Sequence, residues 1–343
     1  MPGHKEILEA LPSLLEELTG LSVRVVESPR DGRVDLLVEL GDRLLVIEAK
    51  VNARAGMVSE AAKQANEYAR RDGPRAVPVV AVPYMGEVGR RVCSEARVSY
   101  VDLSGNASIK APPLYVHVEG RPNRFVKHGR PASVFAPKSS RVARLLLLNP
   151  QKWWQQQELA EDGDIGPGYV SRICKRLEEE GLVDRDDDHR LRPRDPKLLL
   201  TAWEDSYDFE KHSIVKGHVS ARSGDELVES AVAALRQSSS KYAMTGLAAA
   251  WRLAPFAGFR LVTVYVSKQP DSEIKDRLKW REGGRGSNLW FIRPNDEGVF
   301  QGGEELNGVR CVSAVQAYLD LRAMPERSDE ASKRLREELL PWA

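Results

Sequence analysis

Ile7, Leu8, Leu11, Leu14, Leu15 and Leu18 recur at helical spacing, and Gly20 follows where such a helix would stop. The period then changes. Three short β-type runs, 23–27, 34–40 and 43–50, are rich in Val, Leu and Ile. Residues 58–71 return to helical spacing, 76–82 read as a buried strand, 87–96 as a helix and 98–103 as a strand. The predicted order, αβββαβαβ, mixes both periods and favours a sheet layered with helices.

Farther along, residues 120–140 are rich in Pro, Gly and Ser and read as a linker. Val142, Leu145, Leu146 and Leu148 mark a helix, 155–161 a short second one, and Gly166-Pro167-Gly168 a break. A third helix over 169–180 is closed by Gly181, and LVDRDDDHRLRPR gives two short strands around a polar turn. In the last region helices are predicted at 225–237, 245–253 and 312–321, and strands at 259–266, 289–292 and 309–311. No internal repeat is visible. The expectation is an α/β multidomain chain: a first domain over 1–119, a linker over 120–140, a small helical domain over 141–196 and an α/β domain over 197–343.

At 343 residues and 42% hydrophobic, the chain can bury more than one core. Cys93, Cys174 and Cys311 are odd in number and far apart, which argues against a disulfide framework and a Cys-rich zinc site. The six histidines lack metal-ligand spacing. No apolar run approaches the roughly 20 residues of a membrane span. The N-terminal stretch carries acids among its apolar positions, unlike a signal peptide. A cytoplasmic protein is expected. Net charge is only +1, but its distribution is uneven. Residues 121–157 hold no Asp or Glu and eight cations: Arg121, Arg124, Lys127, Arg130, Lys138, Arg141, Arg144 and Lys152. Such a run suggests a polyanionic partner, although a solvated basic linker would read the same.

The stretch LLVIEAK, residues 44–50, carries the candidate chemistry. Side chains alternate along a strand, so Leu44, Val46, Glu48 and Lys50 share a face, opposite Leu45, Ile47 and Ala49. Gly41-Asp42 suits a two-residue type II′ hairpin, and carrying the pairing back from that turn sets Asp35 opposite Glu48. Directly opposed residues have Cβ atoms roughly 5 Å apart. Two such carboxylates repel unless a cation lies between them. Mg²⁺ or Mn²⁺ suits that oxygen pair, keeping water and phosphate oxygens in its other positions. Lys50 would stabilise phosphate charge or position the attacking water. Gln64 lies on the buried stripe of its helix, with Ala61, Ala65, Tyr68 and Ala69, and needs an inward partner.

These residues, in this element order, resemble the PD-(D/E)XK (restriction-endonuclease-like) nuclease superfamily over about residues 4–105. Asp35 matches the first acid, Glu48 the second, Lys50 the lysine and Gln64 the helix glutamine of resolvase-like branches. Glu9 matches those branches' additional acid, and Glu6 fits nearly as well. Val34 stands where the family usually has Pro. The resemblance implies a Mg²⁺-dependent deoxyribonuclease with Asp35 and Glu48 as metal ligands. Such folds also survive as binding modules.

Segment 141–196 resembles a winged helix-turn-helix. Val170, Ile173 and Leu177 would pack inward, leaving Tyr169, Ser171, Arg172, Lys175 and Arg176 outside. Glu178, Glu179 and Glu180 lie at the far end, away from the part that enters a major groove. Arg190, Arg192 and Arg194 would sit on the wing, within reach of phosphate. The phrases SSSKYAMTGLAAAWRLAP, VSAVQAYLDLRAMPERSDEASKRLREEL and YVDLSGNASI are similar to segments of AbiEi-family antitoxins and related bacterial regulators. That resemblance implies transcription regulation in a type IV toxin–antitoxin or phage-defence locus, with a cognate toxin as partner. The expected partners are thus double-stranded DNA, a toxin protein and a second copy of the chain, without a membrane. Trp251, Trp280 and Trp290 are expected in the core.

Overall fold

A computed structural model describes residues 2–26, 34–125, 133–255, 258–283, 286–325 and 327–342. The chain is α/β and divides into two compact units, residues 1–132 with 177–182, and residues 133–176 with 183–343.

The first unit holds α1 (His4–Thr19), β1 (Val23–Val26), β2 (Leu36–Leu40), β3 (Arg43–Ala49), α2 (Ala55–Arg71), β4 (Ala76–Val82), α3 (Glu87–Glu95), β5 (Ser99–Asp102), β6 (Ala107–Ala111) and β7 (Leu114–Val118). Its seven strands follow chain order across one sheet. β3, β4 and β5 are parallel neighbours and the other pairs are antiparallel. Helix α1 forms where Ile7, Leu11 and Leu15 recur, and it ends as Gly20 turns left-handed at φ 69° and donates its N–H to Glu16. Those three side chains cover one sheet face, against Val38, Leu45, Ile47 and Val79. Val58, Ala61 and Ala65 of α2 cover the other, with Val80 and Tyr100. A strand covered on both faces must be apolar throughout, and residues 44–49 of β3 are all buried.

The β2–β3 hairpin has the expected register. Leu40 pairs with Arg43 and Leu36 with Ile47, and Gly41 has φ 58°. Strands β6 and β7 lie beyond the predicted set. Ala107, Ile109 and Ala111 do alternate inward, but small residues give a weak strand signal. The phrase YVDLSGNASI runs from the end of β5 through the connecting turn into β6. Asp102, fully buried, accepts from the Met85 N–H and from both the N–H and side-chain amide of Asn106, each at 2.9 Å.

The second unit's elements begin with α4 (Ser140–Leu148), α5 (Gln156–Gly163) and α6 (Pro167–Glu179), which runs past the unit's boundary. The hairpin β8 (Val183–Arg185) and β9 (Leu191–Pro193) and helix α7 (Pro196–Glu204) follow. Then come β10 (Ser213–His218), α8 (Gly224–Leu235), β11 (Tyr242–Thr245), α9 (Gly246–Leu253), β12 (Val262–Val266), α10 (Ser272–Arg277), β13 (Arg281–Glu282), β14 (Leu289–Arg293), β15 (Glu304–Leu306), β16 (Val309–Cys311), α11 (Ala314–Leu321) and α12 (Ser328–Leu339). A second seven-stranded mixed sheet has the order β13-β10-β14-β12-β11-β16-β15. Segment 133–176 and the C-terminal region share this unit, and Arg144 of α4 donates to Gln316 of α11. Trp251, Trp280 and Trp290 are half-buried rather than in the core. Among the described residues, no helix is long and apolar enough to cross a membrane.

Candidate functional site

The end of β3 gathers four of the five expected catalytic residues. The register ends at the Leu36–Ile47 pair, Asp35 and Glu48 are the next residues on the two sides of the hairpin, and Asp35 Oδ2 accepts the Ala49 N–H at 2.9 Å. Glu48 is 4% exposed. Lys50 Nζ donates to Glu48 Oε2 at 3.2 Å and to Gln64 Oε1 at 3.3 Å. Gln64 thus finds its partner on the strand that its helix covers. Burial raises the Glu48 carboxyl pKa above the ordinary range; repulsion from Asp35 adds to this and Lys50 opposes it.

Glu9 lies apart from this group, exposed and paired with Lys5 one helical turn away at 3.7 Å. Glu6, the alternative acid, caps α1 by accepting the Gly3 N–H at 2.8 Å. In their place the first turn of α1 brings His4, whose Nε2 is 3.2 Å from Asp35 Oδ1. Sequence reading missed His4 because a single histidine beside a helix start carries no spacing signal.

Among the described residues, no three His, Cys, Asp or Glu side chains gather as a metal-binding group. The oxygens of Asp35 and Glu48 nevertheless suit a hard cation that keeps most of its water. Mg²⁺ binds through one or two carboxylates plus phosphate oxygens, whereas Zn²⁺ wants a fuller set of nitrogen or sulfur ligands.

Compared with protein-family models, curated proteins and solved structures, the chain matches none.

On α6, Val170, Ile173 and Leu177 are buried, and Ser171, Arg172 and Lys175 are exposed. Tyr169 and Arg176 are half-buried. The Tyr169 hydroxyl is 2.8 Å from Ser139 Oγ, and the Arg172 guanidinium lies over its ring at 5.5 Å. The three arginines of the β8–β9 hairpin region have partners within the protein. Arg190 is held by Asp186 at 2.8 Å and Asp188 at 3.0 Å, and Arg194 by Asp184 at 2.7 Å. Arg192 stacks on Trp153 at 4.3 Å.

The acid-free run 121–157 also loses much of its positive charge in space. Arg141 forms a forked bond with Asp296 at 2.7 and 2.9 Å, Arg121 is 3.6 Å from Glu17, and Lys152 is 3.0 Å from Glu158. Arg144 is buried, Arg124 and Lys138 are exposed, and Lys127 and Arg130 lie outside the described residues.

The C-terminal region has a polar network that sequence reading did not find. Asp320, fully buried, accepts from the hydroxyls of Tyr207, Tyr265 and Thr245 and from the Gln316 amide. Burial pushes its carboxyl pKa up to about 6. His212 Nε2 lies 3.1 Å from the Tyr207 hydroxyl and 3.2 Å from that of Tyr265, while Nδ1 accepts the Asn295 N–H at 3.1 Å. Burial, with Arg144 nearby, pushes the imidazole down to about 4, so the ring is neutral at pH 7.

Proposed function

We propose that this chain is a DNA-binding protein with a metal-dependent phosphodiesterase site in its first unit, brought to duplex DNA by a winged helix over 141–196. The observation that carries this reading is the meeting of Asp35, Glu48, Lys50 and Gln64 at the end of one buried strand. Asp35 and Glu48 would hold Mg²⁺ or Mn²⁺. The bound metal would supply positive charge to a phosphate oxygen and make a coordinated water more acidic. The Ala49 N–H and His4 orient Asp35. Gln64 holds the Lys50 ammonium beside Glu48, where it would meet the charge that develops on the phosphate. Arg172 and Lys175, exposed on α6, would provide phosphate or base contacts.

A second reading has an observation of its own. Lys50 is ion-paired to Glu48, and His4 is placed to pair with Asp35 when protonated. A site neutralised from within suits a silent nuclease-shaped scaffold in a transcriptional regulator or antitoxin, for which a toxin would be the partner.

Titration with Mg²⁺ and Mn²⁺, followed by calorimetry, thermal unfolding and plasmid nicking, separates the two. The first reading expects saturable binding, stabilisation of about 1.4 kcal/mol at ten times Kd, and nicking. Glu48→Gln should abolish all three, and Lys50→Ala only the nicking. Metal binding without DNA cleavage would favour the scaffold, and no metal binding would remove the enzyme reading.

A further inference from the structure

The second unit contains a cavity of about 300 Å³ whose wall includes Phe135, Ser140, Arg144, Trp203, Tyr207 and Lys211. Arg144 is the unusual member. It is 2% exposed, and its Nε and Nη1 have no hydrogen-bond partner among the described residues. Its Nη2 donates to Gln316 Oε1 at 2.5 Å, and the guanidinium lies over Trp203 at 4.9 Å. Burial lowers its pKa only to about 10, so it remains a cation at pH 7. Charged donors buried without acceptors cost more than the roughly 1–3 kcal/mol of a neutral group.

The neighbouring acceptors are already engaged. Asp296 is bound by both Arg141 Nε and Nη2, and Asp208 lies 3.4 Å from Lys211 Nζ. Asp320 is surrounded by its own donors and reaches Arg144 only through the Gln316 amide. His212 spends Nδ1 on a backbone N–H. An anion entering from outside would supply what the protein does not. Beside Arg144 the wall is aromatic, with Phe135 stacked on Trp203 at 6.1 Å and 8°. Ser206 and Lys211, both exposed, mark the cavity's solvent side.

We propose that this cavity binds a small organic carboxylate with a flat apolar body, Arg144 acting as its counter-ion and Phe135 and Trp203 as the surface for that body. The inference stands independently of the nuclease and DNA readings. The test uses the full chain, with benzoate as probe and acetate and benzylamine as comparisons. Two-dimensional NMR follows the Arg144 Nε–H, assigned through Arg144→Lys, alongside thermal unfolding. Millimolar benzoate should move that resonance saturably and raise the Tm. Acetate should bind about tenfold more weakly for want of apolar contact, and benzylamine should do nothing. Arg144→Lys keeps the charge but loses the fork, and should weaken benzoate binding by about tenfold. Ser206→Trp, which blocks the mouth without touching the buried network, should prevent binding. The proposal is overturned if benzoate leaves the Arg144 signal unmoved, if benzylamine moves it equally, or if Ser206→Trp binds benzoate like the unaltered chain.

Discussion

Glu48 in the first unit and Asp320 in the second are both almost fully buried carboxylates, 4% and 0% exposed, but their neighbours differ. Three hydroxyls and an amide donate to Asp320. Glu48 has one ammonium at 3.2 Å and a second carboxylate, Asp35, across the hairpin. Hydrogen bonds favour the ionised form of Asp320 and limit the rise that burial causes. Repulsion instead adds to the effect of burial at Glu48. A carboxylate saturated by donors anchors a fold, whereas one facing another carboxylate gains most from an added cation.

Removal should therefore act in opposite directions at the two sites. Asp320→Ala should cost about 3–5 kcal/mol, because it removes the buried acceptor shared by the Tyr207, Tyr265 and Thr245 hydroxyls and the Gln316 amide. Denaturant unfolding of the second unit measures this. A loss under about 1 kcal/mol would mean that water replaces the carboxylate easily.

The pH dependence of the second unit sharpens the same contrast. His212, with an ordinary value of 6.5 and a folded value of about 4, contributes stability that is present above 6.5 and lost as pH falls toward 4. Asp320, at 3.8 ordinarily and about 6 when folded, contributes stability that is present below 3.8 and lost as pH rises through 6. Each is worth about 3 kcal/mol, and their slopes oppose between pH 6 and 4. The unaltered second unit should change little across that window. Asp320→Asn should unmask the histidine and lose stability on acidification, while His212→Asn should gain it. Parallel profiles in the two variants would contradict the assignment.

At the first site, Glu48→Gln should raise the Tm of the metal-free protein near neutral pH, since burial and the Asp35 charge disfavour ionisation of Glu48 in the folded chain relative to the unfolded one. A drop would show that the Lys50 pair outweighs the Asp35 repulsion. The smallest effect concerns DNA. Replacing Arg172 and Lys175 by Ala should flatten the slope of log K against log[salt] by about 1.8, two phosphates' worth, with the fold intact. An unchanged slope would place any DNA contact elsewhere.

Much of the first unit was legible because its signals are local. The spacing of Ile7, Leu11 and Leu15, the apolar run of β3 and the Gly41-Asp42 turn each specify a short piece of chain. Together they set Asp35 against Glu48, and helical spacing added Gln64. The Lys5–Glu9 pair that occupies Glu9 has a local signal too, its i,i+4 spacing. Several elements were missed. β6 is built on small residues, and α7, β10 and α12 lie outside the predicted elements.

The sequence by itself determined the α/β alternation, the β2–β3 register and the acids, lysine and glutamine that meet at the end of β3, because periodicity and turn chemistry act over a few residues. Tertiary structure alone decided which charges are compensated. The run without acids acquires Asp296 from 155 positions away, His4 reaches Asp35, and Arg144 is buried beside Gln316 with two nitrogens that have no partner among the described residues. Charge compensation and burial depend on distances between residues remote in the chain, and no local pattern encodes those distances.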